Sequence, residues 1–463
     1  MIHNQSRNIT IDEKLTVKVN QSIEKGTITV HGKLTCPYSD TYEIKTDDIF
    51  VEGPHAHVEC GTTESPFEGS ISFILTNNIS VTDLDKPGKE FVTKMGGTIR
   101  LTGKPGKSGF VKSSSTANPG SDVIQIDNSM LPGKGETQDW ERGDTLVIAS
   151  SCFNPAESET AVITEISSDK KTITLSEGLK FKHWGEIEYF NNPNGTPSTL
   201  DERAEVANLT RNIKVFSDDN DGITGAHMMI MGHGSQSSGF IDNVEFKHVG
   251  QKGVMGRYPF HWHKGGNVEG QYIKNSSIHE SFNRCVTIHG THQAEVRNNT
   301  CYNHFGHGFF LEDGIERKNK IIGNIGIRSK KVKPEYALLD SESGNEDDTR
   351  FMPPATFWIS NPDNIITDNV AARSDGTGFW MAFHTDDPCL TTDTTTGRPD
   401  CYEQKSGEQR NRPSAFMKTL AFSDNTAHSS MIGITHDGGP NGHLNGIQNP
   451  DGTYNPNPLN IND

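Results

Sequence analysis

The sequence predicts an all-β protein, most of it a solenoid in which short strands stack coil upon coil as a parallel β-helix. Three observations carry that expectation. Only 32% of the 463 residues are hydrophobic and 46 are glycine, while Val, Ile and Thr dominate the apolar runs, a composition for strands joined by tight turns. An irregular repeat of about 23 to 32 residues runs from residue 206 onward. Within it Asn275-Ser-Ser-Ile-His-Glu-Ser-Phe-Asn-Arg-Cys-Val realigns without a gap on Asn298-Asn-Thr-Cys-Tyr-Asn-His-Phe-Gly-His-Gly-Phe, and Asn369 onward realigns on Asn299 onward. One such unit cannot bury its apolar face alone, so units must stack. Finally, Phe260-His-Trp-His263, Val286-Thr-Ile-His289 and Phe309-Phe-Leu-Glu312 each alternate an apolar residue with one that faces the other way, as a strand with one buried face does.

Taken in order, residues 15–19, 26–32, 71–75 and 96–103 are short β runs separated by glycine-bearing turns, which indicates a β domain and not βαβ units. Residues 112–121, rich in Ser with Pro and Gly, read as a linker, and 140–149 and 172–175 as further strands. The expected division is a β domain over 1–125 and a parallel β-helix with inserted loops over 126–463. No long amphipathic helix is expected. Asn recurs at one place in each repeat, which suits a ladder of side-chain amides or a left-handed turn residue.

The net charge of −17 argues against a nucleic-acid or anionic-membrane binder, since these present a basic footprint. Residues 251–335 reverse the sign, with thirteen Lys or Arg against seven Asp or Glu, and hold seven of the nineteen histidines. That local charge suits a soluble anionic partner, or simply solvates outward turns. No apolar stretch is long enough to span a bilayer. Residues 1–6 lack the apolar core of a leader, so the chain is expected to be cytosolic, or a mature or trimmed form of an exported one. Of seven cysteines, Cys36 with Cys60 and Cys389 with Cys401 are positioned to pair. Sequons at Asn194, Asn208 and Asn275 are compatible with export.

If the three rungs stack in register, Phe260, Trp262, Val286, Ile288, Phe309 and Leu311 point inward, and His261, His263, Thr287, His289, Phe310 and Glu312 outward. Neighbouring rungs lie about 4.8 Å apart, which puts His263, His289 and Glu312 in one column. Two chemistries fit. Glu312 and Asp313 can act as the carboxyl pair of a glycosidase if the strand ends at Leu311 and a turn at Gly314 swings Asp313 back, with His263 and His307 as further proton-transfer candidates. Alternatively His263, His289 and Glu312 hold a divalent metal, and a set with two imidazoles suits a transition metal better than calcium. Arg257 and Arg284 are candidates to grip a uronate carboxylate, with surface ion pairs the alternative. His261 joins them as a substrate-binding candidate, and Trp380, with Trp358, is a candidate to stack on sugar rings. The acidic run 340–348 lacks the spacing of an EF-hand and reads as a solvated loop.

Gly250-Gln-Lys-Gly-Val-Met-Gly-Arg-Tyr-Pro-Phe-His-Trp-His263, Asn283-Arg-Cys-Val-Thr-Ile-His289 and Gly306-His-Gly-Phe-Phe-Leu-Glu-Asp-Gly314 together resemble the family of cell-migration-inducing hyaluronan-binding protein and transmembrane protein 2, with fibrocystin-like relatives. The N-terminal strands look like that family's G8 domain, and the likeness runs from about residue 15 to about 435. The resemblance implies a G8-like domain followed by a right-handed parallel β-helix, extracellular or cell-surface placement, and calcium-dependent depolymerisation of hyaluronan. The expected function is therefore a secreted enzyme that hydrolyses hyaluronan or a similar acidic polysaccharide. A non-catalytic carbohydrate-binding or adhesion module and a polysaccharide lyase are the alternatives.

Overall fold

A computed structural model of the chain describes residues 8–437, except 37–38, 77–87, 108, 128–138, 153, 155–156, 219–221, 233–236, 344–351 and 385–413. Three long sheets, of 11, 10 and 10 strands, run side by side through the molecule, and every strand pair within them is parallel. Each turn of the chain contributes one strand to each sheet, which is the architecture of a right-handed parallel β-helix. Helix is confined, among the described residues, to the single turn Asp340–Ser343 and short 3-10 segments.

The stacking register follows the repeat. Ser277 pairs with Thr300, Thr300 with Ile325 and Ile325 with Val370, so Asn275 stands over Asn298 and Asn299 in line with Asn369. Side chains inside the coils form one continuous core, in which Phe309, Phe357 and Phe379 stack at 4.7 and 4.6 Å between ring centroids. Trp262 is fully buried, and its indole N–H donates to Gln271 Oε1 at 3.1 Å.

Asparagine serves both expected purposes at adjacent positions. Asn298, Asp368 and Asp424 take φ of 54°, 60° and 57°, and Gly323 fills the equivalent place at 68°. The residue after each turns inward. Asn299 Nδ2 donates to Asn324 Oδ1, Asn324 Nδ2 to Asn369 Oδ1 and Asn369 Nδ2 to Asn425 Oδ1, each at 3.0 Å. The same oxygens accept the backbone N–H of the preceding coil's asparagine. The ladder thus satisfies backbone groups that a corner would otherwise leave unpaired in the interior.

Residues 110–209 depart from the expected plan. Six strands, from Phe110–Ser113 to Glu205–Asn208, close a barrel with its own core, and Ile187–Asn191 with Pro197–Asp201 form a separate hairpin. The supposed linker 112–121 begins in a barrel strand, and the expected boundary at 125/126 falls inside the strand Val123–Asp127. The N-terminal strands are coils of the same solenoid: Glu90–Lys94 pairs directly with His227–Met231, and Thr98–Thr102 with Ser238–Asp242. Their short, turn-bounded pattern is the same whether strands pair within a domain or with coils more than a hundred residues away. The barrel is therefore an insertion. Asn212 joins its two ends, accepting from Lys104 N at 2.8 Å and donating to Phe67 O and Gly69 O.

The Cys36–Cys60 pair forms, and Cys285 pairs with Cys301, a bridge the sequence reading did not name. Cys389 and Cys401 lie outside the described residues. Among the sequons named above, Asn194 is exposed, whereas Asn208 is buried and donates to Asp144.

Replacing Asn324 by Leu removes a donor and an acceptor from the middle of the ladder and strands the Asn299 amides. Each buried unpaired group costs about 1–3 kcal/mol. We expect a loss of roughly 2–5 kcal/mol, read as a lower midpoint in urea unfolding, whereas Asn194→Ala on the exposed hairpin should leave the midpoint in place.

Candidate functional site

The three rungs stack as the alternation requires. Phe260, His261, Trp262 and His263 pair in order with Val286, Thr287, Ile288 and His289, and Val286, Thr287 and Ile288 with Phe309, Phe310 and Leu311. The third strand, Phe309–Leu311, stops there, and Glu312 N still donates to Ile288 O. Gly314, at φ +78°, then turns the chain. A Cβ at this glycine would stand 2.4 Å from His384 Cδ2, so the turn needs glycine for space as well as for conformation.

The column is real in space. His289 Nδ1 lies 3.1 Å from His263 Nδ1 and 3.8 Å from Glu312 Oε2, and the turn carries Asp313 back so that Oδ2 accepts from His289 Nε2 at 3.0 Å. Burial disfavours a charged His289, but the Asp313 bond and the charges of Asp313 and Glu312 outweigh it and push the ring up to about 8. For Asp313 burial acts upward, and the His289 hydrogen bond and charge, with Lys264 and His384 nearby, hold it below the usual carboxylate range.

The outward face is not open along its length. His261, Thr287 and Phe310, expected at the surface, are buried, because a second layer covers them. Its centre is Arg284, 1% exposed, whose guanidinium lies 4.5 Å from the Tyr258 ring and 3.7 Å from the Phe310 ring and whose Nε donates to Glu342 Oε1 at 2.8 Å. Arg284 therefore has no freedom to grip a substrate carboxylate. It stands behind Glu312, NH1 to Oε2 at 4.0 Å, while the Tyr258 hydroxyl donates to Glu312 Oε1 at 3.3 Å.

Other expected site residues sit elsewhere. Arg257 is tied to Glu90 and donates to His227 Nε2 at 2.8 Å. His307 is fully buried: its Nδ1 accepts from Ala355 N and its Nε2 faces Ser341 Oγ, both at 3.0 Å, and burial drives its pKa down to about 3. That ring is a structural bridge and not a proton carrier for a ligand. Trp380 is 1% exposed within a cluster with Phe310, Trp358 and Ala382, so it presents no face to a sugar. What remains together at the partly open rim is His263, His289, Glu312 and Asp313.

Four participants escaped the sequence reading. Tyr258 lies two residues before the first rung, outside the alternation. Glu342 comes from the Asp340–Ser343 turn, within the acidic run read as solvated loop; the rest of that run, 344–348, lies outside the described residues. Lys264 follows the first rung with φ +52° and sits near Asp313. Glu316, wholly buried, accepts from Gly290 N at 2.9 Å and Asp313 N at 3.0 Å through Oε1, clamping the turn onto the coil beneath. Only Glu316 had a local signal, as the third carboxylate in a five-residue run.

Calcium, the ion implied by resemblance, takes six to eight oxygen ligands. The donors converging here are ring nitrogens, with one oxygen each of Glu312 and Asp313 already engaged by Tyr258 and His289. The set does not suit calcium.

Fold and rim together define a class: parallel β-helix proteins with a histidine and carboxylate site on one sheet face. Two family models match, the G8 domain over residues 2–112 and the CEMIP beta-helix over 223–434. The chain belongs to the family that joins these two units. Fibrocystin-L of Mus musculus is 32% identical over 388 residues, covering 75% of this chain and 8% of that protein. Cell surface hyaluronidase CEMIP2 of Homo sapiens is 31% identical over 299 residues, covering 57% and 20%. A Dictyostelium discoideum protein is 29% identical over 461 residues, covering 88% and 38%, so the chain spans well under half of each of these relatives. Among solved structures, the tailspike protein gp49 from Pseudomonas phage LKA1 aligns at 11% identity over 81% of this chain and 49% of that one with a TM-score of 0.19, too low to carry an argument.

Glu316 makes the site's stability depend on pH. Burial and the Asp313 charge push its carboxyl up to about 8 from the ordinary 4.5. Between those values the folded chain holds a proton that the unfolded chain has released, so stability falls as pH rises. Glu316→Gln keeps an amide oxygen for both backbone donors and removes the titration. Thermal melts should coincide near pH 4 and favour the variant near pH 9, by on the order of a few kcal/mol; parallel pH profiles would show that Glu316 is ionised in the folded state.

Proposed function

We propose that the rim formed by His263, His289, Glu312 and Asp313 depolymerises an acidic polysaccharide, hyaluronan or a close chemical relative, by hydrolysis of its glycosidic bonds outside the cell. The observation that carries this reading is the turn at Gly314. It brings a second carboxylate, Asp313, back onto the column beside Glu312 and leaves it 40% exposed. Relatives named cell surface hyaluronidases, from Homo sapiens and Danio rerio, support the substrate class. The bridges Cys36–Cys60 and Cys285–Cys301 support an oxidising, extracellular setting.

Hydrolysis requires one carboxyl to protonate the leaving oxygen and a second to activate water or attack the sugar. Asp313, ionised through its bond to His289, suits the second part. Glu312, set deeper at 16% exposure with the Tyr258 hydroxyl on one oxygen and Arg284 and His289 near the other, takes the first. Arg284 and Tyr258 are positioning residues, since both are buried. The local excess of positive charge acts through neighbours such as Lys264, because Arg257 and Arg284 are spent on internal carboxylates.

The chain should be incubated with a panel of acidic polysaccharides while chain length and ultraviolet absorbance are followed. Shortening without new absorbance is expected. An absorbing unsaturated product would replace hydrolysis by elimination, and retention without shortening would leave a binding module. Glu312→Gln and Asp313→Asn should each slow cleavage by about 10²–10⁴-fold; parental rates in both would place the chemistry elsewhere.

A further inference from the structure

Beneath the rim carboxylates, three imidazoles meet. His261, His263 and His289 each place one ring nitrogen within 4.8 Å of the other two. Their protons can be assigned from their partners. His261 Nδ1 lies 3.1 Å from Gly256 O, and a carbonyl only accepts, so Nδ1 carries the proton and Nε2 the lone pair. That Nε2 is buried and has no hydrogen-bond partner among the described residues, in a side chain 1% exposed. A buried lone pair with no donor is costly, and a site that keeps one has a reason to.

His289 is held in the complementary way. Its Nε2 bonds Asp313 Oδ2 at 3.0 Å, which turns Nδ1 toward His263 Nδ1 at 3.1 Å. Two ring nitrogens at that distance repel unless a proton or a cation lies between them. A tetrahedral ion with bonds of about 2.0–2.1 Å to nitrogen would hold its ligand atoms about 3.3 Å apart. Metal-bound histidines commonly donate their second N–H to a carboxylate or a backbone carbonyl, which fixes ring and tautomer. His289 with Asp313 and His261 with Gly256 follow both patterns.

We infer that His261, His263 and His289 form a binding site for a borderline transition-metal cation of the zinc class, with Asp313 and the Gly256 carbonyl orienting the rings. The inference shares side chains with the proposed depolymerisation and deepens that reading without needing it to be correct. Such an ion keeps a coordination position for water or a ligand oxygen when only three protein ligands bind it, and Glu312, 3.8 Å from His289 Nδ1, stands next to that position. When bound, the ion would supply Lewis acidity at the rim.

The test uses the whole chain, stripped with chelator and passed through gel filtration, and reads binding and not cleavage. With Zn²⁺ added, elemental analysis should find one equivalent retained per chain, and a tenfold excess of Ca²⁺ should not displace it. Co²⁺ should give the visible absorption of a low-coordinate, nitrogen-bound ion. His263→Gln and His289→Gln should each weaken Zn²⁺ binding at least tenfold and abolish the Zn²⁺-induced rise in melting temperature seen in the parent. Cys152→Ser, which removes an exposed thiol, should retain full binding. Sub-stoichiometric Zn²⁺ with no Co²⁺ band in the parent chain would overturn the inference whatever the variants do, as would undiminished binding in a folded His263→Gln. A chain that binds Zn²⁺ and leaves every polysaccharide intact would keep this site and lose the depolymerase reading; a chain that cleaves but retains no Zn²⁺ would do the reverse.

Discussion

Each coil hydrogen-bonds to the next in parallel, and through the rung it does so residue against residue, Phe260 to Val286 to Phe309, with a one-residue bulge only after His263. A shift by one residue would exchange the two faces, sending His263 and His289 into a core of Phe, Ile and Val and the Trp262 indole into the outer layer. The cost of burying those imidazoles unpaired therefore enforces the same register that the apolar side chains select. The asparagine ladder at the neighbouring corner guards it again, since each Oδ1 can accept both donors only when successive asparagines lie in line.

How much of this can be read along the chain depends on the range of the interaction. The alternation in residues 260–263, 286–289 and 309–312 is local, and it is enough to place the column and to call for a turn at Gly314. The roles of Arg284, His261 and Trp380 are not local. Whether an outward residue meets water is decided by what folds over it, and here the cover comes from Tyr258 and from Glu342, the latter 58 residues beyond Arg284. The same limit explains the domain plan: a short strand between turns has the same pattern whether its partner is the next strand or one across an inserted barrel.

The outer layer also explains how a cationic stretch can surround a site without offering its arginines. Arg284 exchanges hydration for a carboxylate and two aromatic faces, and Arg317, equally buried, bonds Asp363 through Nε at 2.7 Å. Removing one partner of such a pair leaves an uncompensated charge in the interior. Arg284 braces the rim: with Tyr258 it stands against Glu312, while the exposed carboxylate Asp313 and the half-buried His263 remain to meet whatever arrives.

The inserted barrel bears on how the molecule is made. A solenoid of neighbouring contacts can zip from either end, because each coil needs only the one before it. Here the strand Glu90–Lys94 must find His227–Met231 across more than 130 residues of intervening chain, and Glu205 of the barrel is then tied to His428 near the far end of the described solenoid, at 2.9 Å. Closing so long a loop carries an entropic cost that no single local contact offsets. The edge of Glu90–Lys94 finds its partner strand only in residues that follow the whole barrel. The insertion thus divides a chain of otherwise neighbouring contacts into two arrays of coils that meet only across that long loop.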